Sequence, residues 1–165
     1  MKTLILLRHA KAVPPEAAAT DAERPLSPRG LRDADAAGAA IAAAGLAVSH
    51  VVVSPARRTM ETAAAVVPHL GAVTVAQRPA LYMAPPRTLW QEALESGGAS
   101  VLVIAHNPGL QDMATLLLDR AADRSLEAAT LRAHFPTSAF AAFEVSGETL
   151  DNVRPRLLRH GTPRG

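Results

Sequence analysis

Leu4-Ile5-Leu6-Leu7-Arg8-His9 is a short apolar run that ends in a charged pair. Two later stretches have the same form. Val51-Val52-Val53 runs into Ser54-Pro55-Ala56-Arg57, and Val101-Leu102-Val103-Ile104-Ala105 runs into His106-Asn107-Pro108. Runs this short, apolar on both faces and rich in Val and Ile, suit buried parallel strands better than helices. Outward from them, 73–77 is a weaker strand candidate, and 28–44, 56–69, 86–96 and 108–119 read as Ala-rich helices. The alternation predicts an α/β fold, a three-layer α/β/α sandwich with a mostly parallel sheet. Ligands then bind at the carboxyl ends of the strands.

The helix starts are marked by Ser27-Pro28, Ser54-Pro55 and Asn107-Pro108. In each, a side chain able to cap the first turn precedes a proline suited to the first helical position. Gly45 and Gly71 are placed to stop the first two helices. Residues 138–146 read as a further strand, and a turn at Ser146-Gly147 leads to a short strand near 149–154. The expected organisation is a single domain over 1–158 followed by a loose tail, 159–165. The polar loop 11–26, directly after Arg8-His9, has the length of a functional segment.

Composition narrows the function. The 165 residues carry a formal net charge of +2, only 3% aromatics and no cysteine. There is no basic surplus with interleaved aromatic residues of the kind that binds single-stranded nucleic acid. Thiol catalysis and zinc–thiolate sites are excluded. No apolar run is long enough to cross a membrane. The expectation is a soluble cytoplasmic protein, by default a monomer, with neither a nucleic-acid nor a membrane partner.

Three strand ends bearing Arg8, His9, Arg57 and His106 suit a phosphoryl group. Its transfer spreads negative charge over three oxygens, so catalysis is largely positioning and charge stabilisation. Arginine's planar fork holds two such oxygens and keeps its charge, which makes Arg8 and Arg57 the expected clamp. Helix starts beside Arg57 and His106 can aim free N–H groups at the same anion. With no cysteine, the nucleophile is a histidine. His9 is the best placed, attacking through a ring nitrogen left unprotonated while the other donates to a backbone carbonyl. His106 adds a donor. His50, His69, His134 and His160 are read as structural or surface residues, and no metal-ligand spacing occurs among them.

Beyond this anion-binding α/β site, the residues resemble the histidine phosphatase superfamily, with its phosphoglycerate-mutase-like fold. Arg8-His9 matches the N-terminal signature, with Ala10 where glycine is commoner. Ser54-Pro55-Ala56-Arg57 matches the second arginine motif, and His106 the late histidine. The likeness is greatest to the small SixA-type phosphohistidine phosphatases. It extends through Asp21-Ala22-Glu23-Arg24-Pro25-Leu26-Ser27, Arg29-Gly30, His106-Asn107-Pro108-Gly109-Leu110 and Pro136-Thr137. The resemblance implies that His9 is the phosphorylated nucleophile and that Arg8, Arg57 and His106 bind the phosphoryl oxygens. It places Arg24 and Asn107 as substrate contacts and calls for no metal or organic cofactor.

Mutases and general phosphomonoesterases of this superfamily usually carry an acidic proton donor after the second arginine motif. Here no Asp or Glu occurs from Thr62 through Gln91. An alkoxide is a poor leaving group and needs a general acid, whereas the P–N bond of phosphohistidine is more labile. The gap favours phosphohistidine over sugar phosphates. Without the large insertions that cap sugar-phosphate sites in bigger relatives, an open pocket would admit a phosphorylated protein surface, a histidine phosphotransfer protein being one compatible partner. Two alternatives stay open. Asp21 or Glu23 in the long loop could serve as the acid of a small-molecule phosphomonoesterase, or the clamp could bind phosphate or a phosphoprotein without catalysis.

Overall fold

A computed structural model describes all 165 residues. The first apolar run forms β1 (Thr3–Arg8). The other strands are β2 (His50–Val53), β3 (Thr74–Gln77), β4 (Ser100–Ala105), β5 (Phe140–Ser146) and β6 (Arg154–Gly161). They make one sheet in the order β3-β2-β4-β1-β5-β6. β3, β2, β4 and β1 are parallel, and β5 is antiparallel to both β1 and β6.

Successive side chains of a strand face opposite ways, and here both faces are covered. Leu4, Leu6, Val52, Val101 and Val103 enter one core with Leu89, Trp90, Leu110, Leu117 and Phe135. Its helices are α3 (Pro86–Glu95), α4 (Gly109–Arg120) and α5 (Leu126–Ala133). Ile5, Leu7, Val51, Val53, Leu102 and Ile104 enter the other core with Ile41 and Val66. This face is covered by α1 (Pro28–Ala43) and α2 (Arg57–Val66). The result is the expected three-layer α/β/α sandwich. No helix is long and apolar enough to cross a membrane.

Local signals were realised unevenly. Ser27 Oγ accepts from Gly30 N–H at 3.0 Å and caps α1 as expected. Ser54 does not cap α2, whose N-cap is Ala56; its hydroxyl bonds His106 instead. Asn107 Oδ1 accepts from Gln111 N–H at 3.2 Å, so it serves the first turn of α4. α5 was not anticipated. It is short, and only Ala128 and Leu131 are buried; Ser125, which caps it through Ala128 N–H, is its main sequence signal.

The last strand corrects the expectation near 149–154. β6 begins at Arg154 and runs to Gly161, so the boundary expected at residue 158 falls inside a strand. It is a half-exposed edge strand carrying Arg154, Arg156 and Arg159. Pairing to β5, not its own apolar content, holds it. The following residues are tied down too. Arg164 Nη1 donates to Thr137 O at 2.9 Å, and Gly165 N–H donates to Asp33 Oδ1 at 2.9 Å.

Candidate active site

Sheet register brings the three strand ends together. Arg8 pairs with Ala105, and Val53 with Ile104. His9, Ser54 and His106 therefore leave adjacent strands at one level. β5 starts at the same edge because it is antiparallel, and Ser138 N–H reaches Arg8 O and His9 O at 3.2 Å. A cavity of 340 Å³ opens there, lined by Arg8, His9, Lys11, Ala12, Asp21, Arg24, Arg58, Met83, His106, Asn107 and Thr137.

His9 is 8% exposed. Its Nδ1 lies 2.8 Å from Ala10 O, and a carbonyl can only accept, so Nδ1 carries the proton. Nε2 keeps its lone pair, which accepts from Arg58 Nε–H at 3.3 Å. Burial, opposed by the Ala10 hydrogen bond and joined by the charges around it, lowers the His9 pKa to about 3. The ring is neutral at physiological pH. Ala10 N–H in turn donates to Thr62 Oγ1 at 3.1 Å, and Thr62 donates to Arg58 O at 2.7 Å. One buried hydroxyl thus couples the segment after β1 that carries His9 to the first turn of α2 that carries Arg58.

His106 follows the same logic. Arg58 Nη2 donates to Nδ1 at 3.2 Å. Nε2 therefore holds the proton and donates to Ser54 Oγ at 2.7 Å. Burial and the nearby Arg58 charge lower its pKa to about 4. It is a neutral ring here, not the third positive charge that a protonated form would bring. Arg8 Nη1 donates to Phe135 O at 3.1 Å, and its Nε–H is buried without a protein partner. Burial and the Arg58 charge both lower its pKa.

The second arginine of the cluster is Arg58, and this corrects the expectation for Arg57. The Arg57 side chain is 60% exposed, pairs with Glu61 at 3.0 Å and does not line the cavity. The Arg58 side chain is 3% exposed and reaches both histidines. Helix register is the reason. The buried positions of α2 are Arg58, Thr59, Thr62, Ala63 and Val66, a stripe with helical spacing. Counting back from the apolar Ala63 and Val66 would have selected Arg58. Arg57, one position earlier, is rotated out toward solvent.

Asp21, from the 11–26 loop, enters the cavity. Its Oδ2 accepts from Tyr82 Oη at 2.5 Å and from Arg58 Nη2 at 3.0 Å, and its Oδ1 from Arg24 Nη1 at 3.0 Å. The Tyr82 bond, then the two arginines, hold its pKa well below the usual carboxylate range. That bond raises the pKa of Tyr82. Arg58 Nη1 also donates to Asp21 O at 2.7 Å, so this loop is fastened to the arginine twice. Glu23 lies outside, along a separate groove with Pro25, Pro55 and Arg57. Arg24 lines the cavity while donating to Val13 O. Asn107 lines it as well, with its amide bonded to Phe135 O and Gln111 N–H. Sequence reasoning missed Tyr82 and Thr62, which carry no local signature of a site, and read Ser54 as a helix cap within the second arginine motif, not as the partner of His106.

Residues 4–82 match the model of the histidine phosphatase superfamily (branch 1). The chain is 34% identical over 148 residues to an uncharacterized protein of Mycobacterium tuberculosis, covering 88% of this chain and 90% of that one. Among solved structures, the protein of Nakamurella multipartitia assigned as phosphohistidine phosphatase SixA is 32% identical. Its TM-score is 0.81, over 98% of this chain and 96% of that one. The chain belongs to the histidine phosphatase superfamily. Within it, the likeness is to the SixA-type branch. The fold is shared with the protein histidine phosphatase SixA complexed with tungstate, at 24% identity, a TM-score of 0.72 and coverage of 97% and 96%. As a histidine phosphatase, the chain is a hydrolase of phosphoryl groups with the phosphoglycerate-mutase-like architecture.

Proposed function

We propose that this phosphatase removes the phosphoryl group from phosphohistidine on a protein, through a covalent intermediate at His9. One observation carries the substrate class: the only carboxylate in the cavity, Asp21, is held ionised by Tyr82, Arg24 and Arg58. An ionised carboxylate cannot protonate an alkoxide, so the site suits a leaving group that needs no such acid.

The rest of the cavity has the matching chemistry. His9 is neutral and keyed by Ala10, so Nε2 is the single attacking nitrogen. In the free enzyme Arg58 Nε–H covers that lone pair. A phosphoryl dianion is a stronger acceptor than imidazole, so it draws Arg58 onto its oxygens and frees Nε2. The unpartnered Arg8 Nε–H gives a second buried donor for the same oxygens. His106, next to a dianion, takes up a proton on Nδ1 and becomes a further donor, with Ser54 holding Nε2–H. Arg24 and Asn107 at the wall are the remaining contacts for the phosphorylated side chain and its backbone.

The test compares a phosphohistidine protein of the phosphotransfer type with a panel of alkyl phosphates. The expected result is turnover of the first well above the second, with ³²P trapped on the wild type and not on His9→Ala. Faster hydrolysis of alkyl phosphates, abolished selectively by Glu23→Gln, would overturn the substrate class. Bound phosphate with neither phosphoenzyme nor turnover would make the chain a binding module instead.

A further inference from the structure

We infer that the Asp21 carboxylate is the specificity-determining acceptor for the leaving imidazole, binding the N–H of the substrate ring nitrogen that does not carry phosphorus. This rests on the phosphohistidine reading and assigns the opposite role to the residue that could otherwise have been a proton donor.

Placement comes first. Arg58 spans the cavity floor with Nε on His9 Nε2 and Nη2 on Asp21 Oδ2. Asp21 therefore stands one guanidinium width beyond the attacking nitrogen. A phosphoryl group bound over Arg58 has His9 at one end and its leaving group toward Asp21. Capacity comes next. A carboxylate offers about four lone-pair positions, and Tyr82, Arg58 and Arg24 use three of them, leaving one on Oδ1. The Asp21 side chain is 47% exposed, so that position is open to an incoming ring.

The chemistry then closes on itself. The reactive substrate ring is protonated on its free nitrogen. His9 Nε2 donates its lone pair to phosphorus, the P–N bond breaks, and its electron pair stays on the departing nitrogen. The substrate leaves as neutral imidazole still bearing its N–H, and phospho-His9 is now the cationic ring. Ala10 O holds the Nδ1–H of that ring, as Asp21 held the N–H of the other. Water oxygen next bonds phosphorus, the P–N pair returns to Nε2, and both water protons leave with dihydrogen phosphate. No proton donor is required in either half. Asp21 acts by favouring the protonated substrate ring, and its charge opposes an anionic alkoxide at the same place.

The test uses N-phosphoimidazole and p-nitrophenyl phosphate, whose phenolate leaves without a proton, on wild type and Asp21→Asn. The groups facing Asp21 are the charged Arg24, Arg58 and, across the cavity, Lys11, and the titratable Tyr82 and His106, all present in both proteins. The expected result is a fall of about 10-fold or more in the ratio of kcat/KM on phosphoimidazole to that on the aryl ester. The fall should grow as pH rises past the pKa of the substrate ring, where the wild type gains most from holding the proton. Tungstate affinity, measured alongside, reports whether Arg58 still stands. Parallel loss on both substrates, with the ratio unchanged, overturns the inference and leaves Asp21 as a support for Arg58. Failure of the wild type to hydrolyse phosphoimidazole and phosphohistidine overturns the phosphohistidine reading itself, and this inference with it.

Discussion

Arg57 and Arg58 are neighbours of identical chemistry, and their difference is one step of helix rotation. Arg58→Ala removes a buried donor aimed at the charge that develops in transfer, and should lower kcat about 10²–10³-fold. Arg57→Ala loses only an exposed pair with Glu61, of the kind worth about 0–1 kcal/mol, and should leave kcat within about twofold. Steady-state kinetics on one aryl phosphate decides between them. The histidines make a second prediction at this scale. His9 and His106 are neutral in the fold, with pKa values of about 3 and about 4 against 6.5 for the free side chain. Below pH 6.5 the unfolded chain therefore binds more protons, so stability falls as pH drops from 6.5 toward 4 and is level above it. Each ring contributes a slope of about 1.4 kcal/mol per pH unit within its window. Urea unfolding across pH 4–7 should show this, and His106→Asn should about halve the slope, leaving the His9 contribution.

At the level of elements, the site depends on contacts between segments that are far apart in sequence. Thr62 on α2 accepts from Ala10 N–H, beyond the end of β1. Thr62→Val keeps the shape and strands that N–H in the interior, and should cost about 1–3 kcal/mol. It should also lower kcat, because His9 and Arg58 lose their shared tether. Denaturant titration beside single-turnover rates checks both. Gly109 has a comparable part. A Cβ there would meet the carbonyl of Ala84, just past Tyr82, so the first turn of α4 admits only glycine without displacing that segment. The buried strands β1, β2 and β4 were legible because each is an unbroken apolar run. β6 and α5 were not, because an edge strand rich in arginine and a helix with two buried residues have weak periodicity. Ser54 shows the same limit: its cap-like position before proline is genuine, yet its hydroxyl serves a histidine on another strand.

For the whole molecule, the decisive fact is strand order. β1 lies between β4 and β5, and β2 lies beyond β4, so residues about fifty positions apart along the chain share one cavity. Three arginines and Lys11 face it against the single carboxylate of Asp21, which makes the site an anion trap in a chain of net charge only +2. Tungstate bound to the folded state alone should raise stability by about 2.7 kcal/mol at a hundredfold excess over Kd. Thermal melts with and without the oxyanion measure it, and Arg58→Ala should abolish the gain. The chain past β6 belongs to the fold as well. Asp33, 1% exposed, meets Arg29, Arg164 and the Gly165 N–H. Replacing Arg164 with Ala weakens the hold on a buried carboxylate and should lower the melting temperature without changing KM.

The amino-acid order alone determined the layer architecture, the buried strands, the helix starts at Pro28 and Pro86, and the placement of Arg8, His9 and His106 at strand ends. These follow from local periodicity and from residue types with few roles. Only the tertiary structure decided that both histidines are neutral and that Asp21 is an acceptor. Each depends on which groups meet across long stretches of chain. The ionisation of a carboxylate and the tautomer of an imidazole are set by the partners that burial forces on them, and those partners are chosen by the sheet.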